Sequence, residues 1–166
     1  VSHAVIVEPG MLYPESALAF VTEMKKTQSI FDLFTLLRYM SLYPFIAKQD
    51  GDEGFDYVMT KMLNRNEPGG PYQCKNQSMP ESAFIRGGFE AFNTMLKPVM
   101  QDPALFTYDL TDGISHYQGE LMMISSECSS FGYAFQQQYH EPRMPIQTIH
   151  VKAEAMGHNM LTLNPE

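Results

Sequence analysis

Three short apolar runs constrain this chain most: Ala4-Val5-Ile6-Val7, Leu121-Met122-Met123-Ile124 and the stretch Ile146-Gln147-Thr148-Ile149-His150-Val151. The first two are continuous rather than alternating, as in parallel strands covered on both faces. Glu8-Pro9-Gly10 stops the first run sharply. The second extends over Gly119–Ser126, and the third predicts a strand at Gln147–Lys152. Between the first two runs the texture is helical, and no strand pattern interrupts it. Strands that alternate with helices point to a parallel α/β sheet.

The intervening stretch divides by its turn signals. Pro14 opens a helix with Glu15 in its first turn, and Ala17, Leu18, Phe20, Val21 and Met24 recur at helical spacing. Ser29 caps a second helix that Pro44 ends or bends. A third helix is expected over Phe55–Leu63, and a fourth over Glu81–Lys97 despite Gly87-Gly88. Asn64–Pro80, rich in Gly, Pro, Asn and Gln, reads as a loop. Tyr133–Tyr139 reads as a short helix, and Asn164-Pro165-Glu166 as a helix opening. Three strands that read as buried on both faces have too few helices to cover them. The expectation is therefore that part of the fold lies outside this sequence.

Composition narrows the function classes. With 11 Lys and Arg against 19 Asp and Glu, the net charge is −8, and the scattered cations argue against a nucleic-acid surface. No apolar run approaches the roughly 20 residues that span a bilayer, so no membrane partner is expected. No signal peptide is visible at Val1, which for a fragment leaves export open. Cys74 and Cys128 match no zinc spacing and no C-x-x-C motif, and are expected as two free, partly buried thiols. A disulfide between them is the alternative in an exported protein. The histidines show no i, i+4 pair and no H-E-x-x-H, so neither a metal nor a cofactor is expected.

Three segments carry a resemblance. VSHAVIVEPG is similar to the strand that follows the nucleophile helix of α/β-hydrolases of the proline-iminopeptidase and epoxide-hydrolase-like kind. GELMMISSE is similar to their next strand, usually a run such as V-L-x-I-x-G-E-x-D. AEAMGHNMLTLNPE is similar to their catalytic-histidine loop. The resemblance implies a C-terminal part of the hydrolase sheet at 1–12 and 104–166, with an inserted all-helical cap at 13–103. The nucleophile elbow G-x-S-x-G would then precede Val1, since the family order is nucleophile, acid, histidine.

His158, after Gly157, is the implied general base toward a serine and general acid toward the leaving group. Where the family places its Asp, this sequence has Ser129, which cannot hold an imidazolium as a carboxylate does. Two carboxylates could substitute. Glu127 ends the second strand and is the first choice. Glu8 ends the first strand, where haloalkane-dehalogenase-like members carry their acid. His150 reads as a partly buried structural residue, and His3, His116 and His140 lack a catalytic setting. Ser115 and Ser130 each match half of G-x-S-x-G, and Cys128 is a remote candidate for a thiol nucleophile. The aromatic and Met side chains of the helical stretch are mostly core, with some lining an apolar pocket. Arg86 could meet a substrate carboxylate.

The expected function is that of the cap-bearing part of a serine hydrolase cleaving an ester, amide or peptide bond of a small, partly apolar molecule. Its expected partners are that substrate and the N-terminal half of the fold, without which the chain alone is predicted inactive. One alternative is a non-catalytic fragment that self-associates or binds apolar ligands. Another is haloalkane-dehalogenase or epoxide-hydrolase chemistry on an Asp nucleophile, which would require Glu8 as the acid. A complete small hydrolase using Ser130 is the last.

Overall fold

The computed structural model describes residues 2–27, 34, 37, 74, 90 and 92–158. Strand β1 (His3–Val7) is followed by helix α1 (Pro14–Thr27). Further along the chain come a π-helical turn (Phe92–Leu96), helix α2 (Lys97–Gln101) and two 3-10 turns (Pro103–Leu105 and Ile114–His116). Strand β2 (Glu120–Ser126), helix α3 (Tyr133–Tyr139), a third 3-10 turn (Glu141–Arg143) and strand β3 (Ile149–Ala153) complete the described chain. The expected second and third helices, the loop 64–80, Arg86 and the tail 159–166 lie outside the described residues, apart from isolated positions. No described helix is long and apolar enough to cross a membrane.

The sheet is parallel in the order β1-β2-β3. His3 to Val7 pair with Glu120 to Ile124, and Met122 to Ser126 pair with Ile149 to Ala153. The fold is thus a mixed α/β arrangement around three parallel strands. Strand alternation puts Leu121, Met123 and Ser125 on one face, and each is at most 3% exposed. The opposite face carries the cross-strand row Val5, Met122 and Ile149, in which Val5 is 60% and Ile149 56% exposed. The two outer strands thus leave apolar positions open, in keeping with the expected shortage of helices to cover three strands. Apolar runs in the sequence report the capacity to be covered, not the presence of a cover.

Helix α1 begins where Ser16 Oγ accepts the Leu12 and Tyr13 amides at 2.9 and 3.0 Å, which satisfies groups the first turn would otherwise orphan. Glu15 in its first turn and Lys25 and Lys26 in its last complement the helix dipole. Ala17 and Val21 pack with Val99 and Phe106 into the main apolar cluster. A side chain such as Val21, 1% exposed, contributes about 1.5–3 kcal/mol by leaving water. Phe20 meets Phe131 at 4.4 Å, joining α1 to the segment between β2 and α3. Leu18, expected among the apolar set, is 56% exposed, because the buried stripe runs through 17 and 21.

Two boundaries move by more than one residue. Of the expected fourth helix only Glu90 and residues 92–97 are described, and there the chain runs past Lys97 to Gln101 as α2, with Pro98 in its first turn, where the missing N–H costs least. Strand β3 starts at Ile149 rather than Gln147, because Pro145 bends the chain and Thr148 N–H closes a turn onto its carbonyl at 2.9 Å. Helix α3 opens at Gly132, where a Cβ would collide with the Ser126 carbonyl. Only glycine allows that close return of the chain onto the end of β2.

Candidate active site

Glu8 extends the β1–β2 ladder by one bond, its N–H donating to the Ile124 carbonyl at 2.9 Å. Its own backbone then turns, with φ +38°, into the left-handed region that a non-glycine residue rarely adopts. That turn carries the carboxylate inward, where its side chain is 1% exposed. Oε2 accepts the Ser126 N–H at 3.1 Å. Oε1 lies 3.2 Å from Nδ1 of His158, whose side chain is 39% exposed. Burial pushes the Glu8 carboxyl upward, but its polar neighbours His158, Ser129 and Ser126 together outweigh it and hold the group below its ordinary value. Oε1 approaches Nδ1 at ion-pair distance without completing a hydrogen bond, and a carboxylate so placed favours the tautomer with its proton on Nδ1 and its lone pair on Nε2. That is the orientation a general base requires.

Glu127 stands elsewhere. It is exposed, with Oε1 3.3 Å from Lys152 Nζ and Oε2 accepting the Ala155 N–H at 2.8 Å. The Ala155 N–H first, and Lys152 second, hold its carboxyl below the ordinary value. Adjacent strands would favour Glu127, since β2 neighbours β3. The pleat decides otherwise. Past the buried Ser125 and Ser126, Glu127 leaves the sheet toward solvent, while the left-handed turn at Glu8 brings the more distant carboxylate in. Ser129 occupies the position expected of an Asp. Its hydroxyl accepts the Phe131 N–H at 3.1 Å and helps to hold the Glu8 carboxyl low.

Cys74 and Cys128 form a disulfide with their Cα atoms 4.9 Å apart, within the span such a bridge requires. This corrects the expectation of free thiols and removes Cys128 as a nucleophile. A bridge across a sequence separation of 54 residues has no local signal. Ser115 sits exposed in the second 3-10 turn, and Ser130 lies in the turn between β2 and α3.

A second polar constellation escaped sequence reasoning. Ser125 Oγ lies 2.9 Å from His150 Nε2, and His150 Nδ1 lies 2.7 Å from Glu141 Oε2. Tyr133 stacks on the imidazole at 4.3 Å. The connectivity is that of a serine–histidine–acid chain. Ser125, however, is fully buried within a strand, so no substrate carbonyl can reach it. The usable signal was strand parity: Met123 pairs with His150, which places Ser125 and His150 on the same covered face. His3 pairs with Glu120 at 3.3 Å on the exposed surface, and His140 is buried at the end of α3 against Gln136. Among the described residues no group of three His, Cys, Asp or Glu is placed to hold a metal.

No family model and no curated protein matches the chain. Among solved structures, a crystal structure of VinJ is similar with a TM-score of 0.51 and 12% identity, over 99% of this chain and 53% of that one. The chain therefore spans about half the length of that structure, and the likeness, at this identity, is one of fold.

Proposed function

We propose that the chain is the cap-bearing C-terminal part of a serine α/β-hydrolase, with 1–12 and 104–166 in the hydrolase core and 13–103 as the cap. It would cleave an ester, amide or peptide bond of a small, partly apolar substrate. The observation that carries this reading is the buried Glu8 carboxylate against His158 Nδ1, brought together from beyond the ends of the two outer strands. Glu8 orients the imidazole. Its Nε2 takes the proton of a serine hydroxyl supplied by the N-terminal part of the fold, as the serine oxygen adds to the substrate carbonyl. His158 then returns the proton to the leaving group, and water repeats the cycle on the acyl-enzyme. Glu127 is not in contact with the imidazole in this scheme.

The test is intact-mass spectrometry of the native protein, with whatever polypeptide co-purifies, after exposure to a fluorophosphonate. The expected result is one adduct on a serine outside the 166 residues, its rate lowered about 10³-fold or more by His158→Ala. An adduct on Ser130, or labelling indifferent to His158→Ala, would overturn the reading.

The position of Glu8 after β1 favours a second reading, because the haloalkane-dehalogenase and epoxide-hydrolase variants carry their acid there. These would attack through an Asp and form an alkyl ester. Fluorophosphonate would then leave the protein unlabelled, and single turnover in H₂¹⁸O would place the label in an aspartate.

A further inference from the structure

We propose that Glu127 is a positioning residue, whose carboxylate holds the Ala155 turn that delivers His158 to Glu8. The inference rests on the proposed Glu8–His158 dyad and assigns its support.

The loop leaving β3 must reverse within a few residues to bring His158 back over the end of β1. It does so through Ala155, whose φ of +55° is unfavourable for any residue with a Cβ. Such a conformation persists only where its surroundings hold it, and here the end of β2 supplies the hold. Glu127 N–H donates to the Ala153 carbonyl at 3.1 Å, extending the β2–β3 ladder by one bond. Glu127 Oε2 accepts the Ala155 N–H at 2.8 Å, so one residue grips the turn on both sides of Glu154. Cys128 N–H then donates to the Met156 carbonyl at 3.1 Å. Lys152 Nζ, 3.3 Å from Oε1, fixes the carboxylate from the other side. Two residues after Met156 comes His158, so a rotation of this turn moves Nδ1 relative to a Glu8 carboxylate that is itself held by Ser126. Charge-assisted bonds to backbone N–H groups are directional as well as strong. The residue resembles a triad acid in sequence because it lies next to the histidine loop, but it contacts that loop through its backbone.

The test is the rate at which diethyl pyrocarbonate carbethoxylates each of the five histidines, resolved by peptide mass spectrometry on the alkaline plateau where imidazoles are neutral. Buried His140 is the internal monitor of global opening. Glu127→Ala should raise the His158 rate about twofold or more, with His140 unchanged, as expected for coupled neighbours. Glu127→Gln keeps an acceptor for the Ala155 N–H and should stay near wild type. Glu127→Asp keeps the charge but withdraws it from that N–H, and should behave like Glu127→Ala. It also serves where the alanine variant opens globally. In a Glu8→Gln background, which raises the His158 rate by itself, adding Glu127→Ala should add nothing. An unchanged His158 rate in both Glu127→Ala and Glu127→Asp, alongside a raised rate in Glu8→Gln, would overturn the positioning role and leave the dyad standing. An unchanged rate in Glu8→Gln would overturn the dyad. A full Glu127→Ala effect in the Glu8→Gln background would show a merely structural contact and overturn the proposal.

Discussion

Gln136 and His140 show how single side chains set the pH response. Gln136 donates from Nε2 to the carbonyls of Pro9 and Phe131, both at 2.8 Å, so its Oε1 is the atom facing His140. That oxygen only accepts, and His140 Nδ1 must donate to it, at 2.5 Å. Nε2 is buried with no hydrogen-bond partner, so protonating it would strand a charge away from water. Burial accordingly depresses the imidazole from 6.5 to about 4. The unfolded chain binds this proton more readily than the folded one. The stabilisation is therefore complete above pH 6.5 and is lost as pH falls through about 4, up to about 3 kcal/mol in all. The urea midpoint should drop across that window, and His140→Asn should flatten the drop. Glu8 also has a depressed pKa, but as a carboxylate its contribution leaves only below its ordinary value of 4.5. At this scale the sequence named Glu8, Glu127 and His158. It ranked Glu127 ahead of Glu8, whereas the contact with His158 rests on one backbone angle at Glu8 that no residue type announces.

Between elements, the Ser125–His150–Glu141 chain fastens β2, β3 and the third 3-10 turn together. Deleting the imidazole strands a buried hydroxyl, which costs about 1–3 kcal/mol. Losing the Tyr133 stack adds about 0.5–1.5 kcal/mol. His150→Ala should therefore lower stability by about 2–4 kcal/mol in urea unfolding. Glu141→Gln, which still accepts at a side chain 42% exposed, should cost under about 1 kcal/mol. Where apolar residues crowd between turn signals, the elements were legible. Helix α3 spans the Tyr133–Tyr139 expected of it, and β2 differs from its expected start by one residue. The miss at the start of β3 has a local cause. Gln147 and Thr148 read as strand by alternation, but Pro145 commits the chain to a turn first. The open face of the sheet was legible only as a shortage of helices, and not by position, since Val5 and Ile149 have the same apolar character whether or not anything lies over them.

Across the whole molecule, the Cys74–Cys128 bridge ties position 74 to the residue between Glu127 and Ser129. For a sequence separation of 54 residues, chain entropy alone assigns such a cross-link about 4 kcal/mol, acting through the unfolded state. Replacing both cysteines by serine should lower the unfolding free energy by up to that amount, and a dithiol reductant should reproduce the loss in the wild type. The parallel α/β arrangement was readable from three apolar runs. The bridge was not, because its partners meet only once the fold has formed. It also fixes what a protease can accomplish. A cut at any single peptide bond between residues 74 and 128 opens a ring instead of severing a thread, so both pieces travel together until a reductant parts them.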